Sequence, residues 1–190
     1  MQPTKPTRLD WHGVDLHRLP PENRTGGDTW KIEVADIEKG MPYADGCFDI
    51  VVAEQILEHL RNPRFAISEM TRITRPGGYL VIDVPIFLPP VAGLRNAYIR
   101  HLPRLFKFSG SGHLQTFSRH SIEQYLLAEA DLEIVHTEGF RLISGGPLRP
   151  LENYEWWYKS SVAMGRRYPS WATEVQVLLR KKLDGNLSDK

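Results

Sequence analysis

Apolar residues along this chain come in short bursts divided by Gly, Pro and Asn clusters, with one stretch at helical spacing. HGVDL, residues 12 to 16, is a brief apolar run ending near Asp15, and a Pro-, Asn- and Gly-rich loop follows from Leu19 to Asp28. That pattern predicts a strand and a loop. WKIEVA, 30 to 35, alternates like a strand and stops at Asp36; Gly40, Pro42, Asp45 and Gly46 then punctuate the chain before a third strand, FDIVVA, 48 to 53. Asn62 as cap and Pro63 at the first position open a helix over 63 to 74, with Phe65, Ile67, Met70 and Ile73 apolar, until Pro76-Gly77-Gly78 stops it.

YLVIDV, 79 to 84, follows as a near-continuous apolar strand of the kind covered on both faces of a parallel sheet. Strand, helix and strand at this spacing predict a right-handed crossover. Ser118 begins a second helical signature, with Ile122, Tyr125, Leu126 and Leu127 apolar, that runs to about Ala130. Leu132 to Thr137 is the next strand; a Gly-, Pro- and aromatic-rich stretch spans 139 to 171, and ATEVQVLLR, 172 to 180, is the last strand. The expected fold class is α/β, a Rossmann-like doubly wound and mostly parallel sheet, in one domain over 1 to 183. Residues 85 to 112 form an insertion or lid in this reading, 139 to 171 an acceptor-side segment, and 184 to 190 a frayed tail.

Composition narrows the function little. With 190 residues, 41% hydrophobic and 25% charged, the chain is an ordinary globular one. Twenty-four Lys and Arg against 23 Asp and Glu leave a net charge of +1, without the basic field that nucleic acid binding needs. The single cysteine, Cys47, excludes an internal disulfide framework, fits a reducing cytosol and reads as a packed thiol. The first residues carry no apolar signal region, and no stretch has the length of a membrane span, so a soluble, cytoplasmic protein is expected. The apolar and basic segment 86 to 108 suits either a helical insertion or a contact with a lipid surface or apolar substrate.

In a doubly wound sheet, ligands bind outside the carboxyl ends of the strands. Asp15 and Asp36 sit at two such ends, where ionised carboxylates accept hydrogen bonds from a ribose diol or an amino group. Taken singly, each reads as a turn-capping carboxylate. Gly77-Gly78 precedes a strand instead of opening a helix, which argues against a phosphate loop. Glu58, His59, His101 and His113 lack the helical spacing of a strong metal site, so no structural metal is expected.

The series Asp15, Asp36, MPYADGCFDIVVAEQILEHL, ISEMTRITRPGGYLVIDVP and GHLQTFSRHSIEQYLLAEADLEIV resembles the class I methyltransferases that use S-adenosylmethionine. In that family a small-Pro-aromatic-x-Asp turn leads into an sFDvV strand, an LEH segment follows, and RxxxPGGxLxxxxP introduces the next strand. The resemblance covers roughly 12 to 140, and the last strand fits the family's antiparallel ending. It implies S-adenosylmethionine as cofactor, Asp15 as the ribose acid, Asp36 near the adenine, and Glu54 with Gln55 at the methionine part. It also places His59 and His113 toward the substrate as catalytic candidates. A neutral histidine there can take the proton of a hydroxyl acceptor, or simply hold backbone and cofactor in place.

The family's glycine-rich first strand and loop, about ExGxGxG, is absent from this sequence. Such an element needs at least about a dozen residues, more than precede residue 12. Relative to the family the chain is therefore expected to be N-terminally truncated. The family's first strand lies between the strand ending at Asp15 and the one starting at Phe48, so its loss leaves three outcomes. The flanking strands pair directly, another chain fills the gap as a homo- or hetero-oligomer, or the natural start is missing. An alternative register, with 8 to 16 as the first strand and 30 to 36 as the second, makes Asp36 the ribose acid.

The leading expectation is S-adenosylmethionine-dependent methyl transfer to a small-molecule, glycan or lipid-linked acceptor, at oxygen. Aromatic residues of ENYEWWYKS, 152 to 160, would help line the acceptor pocket. The alternative is a degenerate methyltransferase-like domain acting through a protein partner. A nicotinamide oxidoreductase fits the fold class but would need a GxGxxG that the sequence does not contain.

Overall fold

The computed structural model describes residues 10–17, 30–87, 114–129, 131–142 and 146–183. Two compact units divide at Tyr43 and Ala44. In the first, β1 (Trp11–Asp15) and β2 (Trp30–Val34) pair in parallel, with Trp11 opposite Trp30 and Asp15 opposite Val34. Tyr43 closes back on β1: its hydroxyl donates to the Gly13 carbonyl at 3.3 Å, and its ring meets His12 edge-on.

The second unit holds a four-stranded sheet in the order β3-β4-β6-β5, with β3 (Phe48–Glu54), β4 (Thr74–Pro85), β5 (Leu132–Leu142) and β6 (Ala172–Lys181). β3 and β4 are parallel, and β6 is antiparallel to both β4 and β5. Only β6 therefore opposes the common direction, as expected of a Rossmann-like sheet with an antiparallel final strand. β1 pairs with β2 in the first unit, and β3 pairs with β4 in the second.

Among the described residues three helices accompany these strands: α1 (Pro63–Ile73), α2 (Arg119–Leu127) and α3 (Glu155–Arg167). Asn62 accepts the Phe65 N–H, and Ser118 shares a reciprocal cap with Ser121, so both expected helix starts are made by the residues read as caps. The core lies on one face of the sheet. Leu80, Ile82 and Val84 of β4 stand beside Leu179, Val177 and Val175 of β6, all fully buried, and α1 and α2 add Ala66, Ile67, Met70, Ile73, Ile122 and Leu126. Each such side chain contributes about 1.5–3 kcal/mol of burial, before the entropy of ordering the chain.

Several sequence expectations need correction. α1 ends at Ile73, because Thr74 already pairs with Phe48 as the first residue of β4. Gly77 and Gly78 thus lie inside β4, at the irregularity opposite Phe48 and Ile50. A Cβ on Gly78 would fall 2.9 Å from the carbonyl oxygens of both Arg75 and Asp49, so close strand approach requires that glycine. β4 is not covered on both faces among the described residues, since Tyr79 is exposed. Cys47 is exposed too, because it belongs to the turn before β3 and not to the strand's buried face. β5 continues past Thr137 to Leu142, and the aromatic stretch contains the unforeseen helix α3.

Candidate active site

Parallel strands deliver their carboxyl ends to one edge of their own sheet, and within each unit the candidate residues fall at such strand ends. In the first unit Asp15 ends β1 and accepts the His17 N–H at 2.7 Å through Oδ1. Its carbonyl receives the Ala35 N–H at 3.0 Å, which brings the start of the Asp36 turn beside it. Asp36 follows β2, accepts the Glu38 N–H at 3.0 Å and pairs with Lys39 at 3.0 Å. The Lys39 ammonium, aided by the Glu38 N–H, holds the Asp36 carboxyl below its ordinary value. Both acids thus have the turn-capping role expected of them singly, and each keeps lone pairs in reserve, since one carboxylate has about four acceptor sites.

In the second unit Glu54 ends β3 directly opposite Asp83 of β4. Gln55, the next residue, adopts φ +54°, left-handed backbone that costs a non-glycine residue on the order of 1 kcal/mol or more. Asp83 secures it twice: its carbonyl accepts the Gln55 N–H at 3.0 Å and its Oδ2 accepts the Gln55 side-chain amide at 2.8 Å. The strain is therefore fixed by β4 and turns the chain out of the strand into the 3-10 turn Leu57–His59.

That turn buries a carboxylic side chain. Glu58 is 0% exposed, and neither side-chain oxygen has a hydrogen-bond partner. The Glu58 carbonyl accepts the N–H groups of Leu114 and Gln115 at 2.8 and 3.1 Å, which fastens the start of the α2 segment over the turn. Burial pushes the Glu58 carboxyl up, and the Asp83 charge adds to that push against His59. Burial likewise pushes Asp83 up, reinforced by Glu174 and Glu54, opposed by the Gln55 hydrogen bond and by Arg141. Asp83 Oδ1 is a third buried oxygen without a partner.

His59 keeps 43% of its side chain exposed, with Nε2 3.8 Å from Glu58 Oε1, beyond hydrogen-bond range. Arg141, also at positive φ, ties β5 to its neighbours through Glu174 of β6 and Glu152. His113 lies outside the described residues. The structure thus brings Glu54, Gln55 and His59 into one cluster and Asp15 with Asp36 into another. Asp83 does not stand out in the sequence because it sits in an apolar strand pattern, and Glu58, weighed there only as a metal ligand, gives no sign of its burial.

The sequence profile of a family described as a methyltransferase domain matches residues 10–82. A protein of Mycobacterium sp. strain KMS named an uncharacterized methyltransferase is 34% identical over 62 residues, 33% of this chain and 25% of the relative. One from Mycobacterium marinum, named likewise, is 38% identical over 79 residues, 42% of this chain and 30% of the relative. The chain thus spans a quarter to under a third of the length of these relatives. Among solved structures, a chain of the complex between the Haloferax volcanii Trm112 methyltransferase activator and a methyltransferase superposes with TM-score 0.56 at 17% identity, covering 90% of this chain and 71% of that one. A Burkholderia thailandensis 1,6-didemethyltoxoflavin-N1-methyltransferase with bound S-adenosylhomocysteine gives TM-score 0.53 at 14% identity, covering 90% and 60%. At such identities the structural likeness establishes the fold.

Proposed function

We propose that this chain, whose residues 10–82 match the methyltransferase domain profile, belongs to a class I S-adenosylmethionine-dependent enzyme that methylates a small-molecule, glycan or lipid-linked acceptor at oxygen in the cytoplasm. The observation that carries the reading is the placement of acids at successive strand ends within the matched segment: Asp15 on β1, Asp36 after β2 and Glu54 on β3. Those side chains fit the cofactor chemically, because its ribose hydroxyls and amino groups are donors and ionised carboxylates are acceptors. Asp15 would bind the ribose, Asp36 the adenine side, and Glu54 with Gln55 the methionine part.

When bound, the cofactor supplies an electrophilic methyl on a sulfonium. The chain's own residues position the acceptor behind it, and such positioning provides much of the catalysis. His59, with 43% of its side chain exposed, would take the acceptor's proton. His113 has the same role open to it.

Calorimetric titration with S-adenosylhomocysteine tests the reading. Saturable one-site binding is expected, weakened by Asp15→Ala by about 1.5–3 kcal/mol, the worth of a hydrogen bond to a charged group. Unchanged affinity in Asp15→Ala would remove the ribose assignment, and no binding by the folded chain would remove the reading itself. A second reading, a domain acting through a protein partner, is favoured by a separate observation: among the described residues β3 is an edge strand of its sheet, with Ile50 58% and Val52 49% exposed.

A further inference from the structure

The three orphaned oxygens of the second unit set an unusual chemical condition. Glu58 Oε1, Glu58 Oε2 and Asp83 Oδ1 are buried, and among the described residues none has a hydrogen-bond partner of good geometry, although the Glu58 backbone N–H acts on its own carboxyl. A buried acceptor left in this state costs about 1–3 kcal/mol, and more when charged, so native structures rarely retain several together. These do not belong to a salt bridge that has lost its geometry. The cation nearest in effect, Arg141, is committed to Glu174 and Glu152. His59 Nε2 stops 3.8 Å short of Glu58.

The surroundings add more negative charge, set against Arg141 and His59. Glu54 stands opposite Asp83 in the β3–β4 register, and the charges of Glu54 and Glu174 both act on Asp83. Asp83 also acts on Glu58, so the two carboxyls share one electrostatic environment. The cluster lies at the carboxyl ends of β3 and β4, where Gln55 is held in strained backbone by Asp83 itself. Leu114 and Gln115 bond the Glu58 carbonyl, and Glu54 and Gln55 beside Asp83 are exposed.

A ligand complementary to this group brings several donors and positive charge on a small head. A primary ammonium has three N–H donors and no acceptor, matching in number the oxygens that lack partners. A hydroxyl brings one donor, and a carboxylate or phosphate brings only like charge. We propose that Glu58 and Asp83 form an ammonium subsite that anchors the methyl acceptor by an amino group, while the methyl is delivered to another atom of the same molecule. This deepens the methyl-transfer reading and rests on it. It narrows the acceptor class to amine-bearing small molecules, amino sugars or amine-headed lipids.

The test uses n-butylammonium chloride as probe, with n-butanol and sodium butyrate at matched ionic strength, each titrated into the full chain and followed by NMR of backbone amides. Saturable shifts are expected from the ammonium at Glu54, Gln55, Glu58 and Asp83, and none from the other two. Glu58→Gln and Asp83→Asn should each weaken the response by about tenfold or more, the range of a charge-assisted hydrogen bond. Glu133→Gln, exposed at the far end of β5, should leave it unchanged.

Equal response to butanol, or an undiminished response in both variants, would overturn the subsite. Repeating the titration with saturating S-adenosylhomocysteine separates it from the cofactor's own amino group: retained binding supports an acceptor site, and displacement overturns it. Binding of S-adenosylhomocysteine without any ammonium response would sink the subsite alone. Absence of both would sink the methyl-transfer reading and the subsite with it.

Discussion

Glu58 pits burial against ionisation, and burial dominates: desolvation is the largest influence on its carboxyl, ahead of the opposing His59 charge. The sign of the consequence follows from proton linkage. Its folded pKa stands above the unfolded one, so between the two values the native chain binds more protons and stability falls as pH rises. Glu58→Gln abolishes that loss. The melting temperature of the variant should match the parent's well below about pH 4, where both states of the parent are protonated, and exceed it increasingly toward neutral pH. Asp83→Asn should show the same direction, since burial also raises Asp83. Melting curves across about pH 3 to 8 read the difference directly. A constant offset between variant and parent would show that Glu58 titrates alike folded and unfolded. A ligand ammonium would shrink the penalty by stabilising the ionised form, so the same residue links stability to occupancy.

At the scale of elements, α3 is held by what it lacks. Gly165 of α3 and Gly139 of β5 meet so closely that a Cβ on Gly139 would lie 2.5 Å from the Gly165 carbonyl oxygen and 2.6 Å from Pro169 Cα. Both obstacles are backbone, which cannot swing aside, so Gly139→Ala should destabilise the fold by about 1–3 kcal/mol or more, the range of overpacking. Chemical denaturation measures it, and a smaller loss would mean that α3 shifts off β5 without consequence. This contact explains why α3 escaped the sequence reading. Its buried positions, Ser161 and Gly165, are small and not apolar, while Trp156 is 64% exposed on its outer side, so the periodicity that marks a helix is inverted. The start of α1 was legible because Asn62 and Pro63 act locally. Its end was legible to within one residue from Pro76-Gly77-Gly78, whereas the Lys181 side chain that donates to the Thr74 carbonyl from 107 residues beyond, and to that of Thr71, was not. Local chemistry shows in a sequence, whereas a cap delivered from a distant strand does not.

Across the molecule, the strand-end acids were readable because parallel strands announce their ends by where apolar runs stop. The orphaned carboxyls were not, since burial of Glu58 and Asp83 depends on segments far apart in the chain. Within the larger sheet, among the described residues, β3 stands at one end of the strand order. An edge strand is ordinarily protected by Lys, Pro or a bulge that turns it away. FDIVVAE has neither Lys nor Pro, and Ile50 and Val52 project from it exposed on one face. Such an edge is a template for another strand, whether from a second copy or from a different partner. The chain alone should therefore associate in a concentration-dependent way that sedimentation velocity resolves, and Val52→Lys should reduce that association. Because Val52 is already half in solvent, the substitution should change folding stability by no more than about 0.5 kcal/mol. A monomer at all concentrations would mean that the edge is inert, and a Val52→Lys variant that unfolds would mean that this face is covered within the chain. Association lost together with unchanged stability is the combination that marks β3 as an interface instead of an unfinished core.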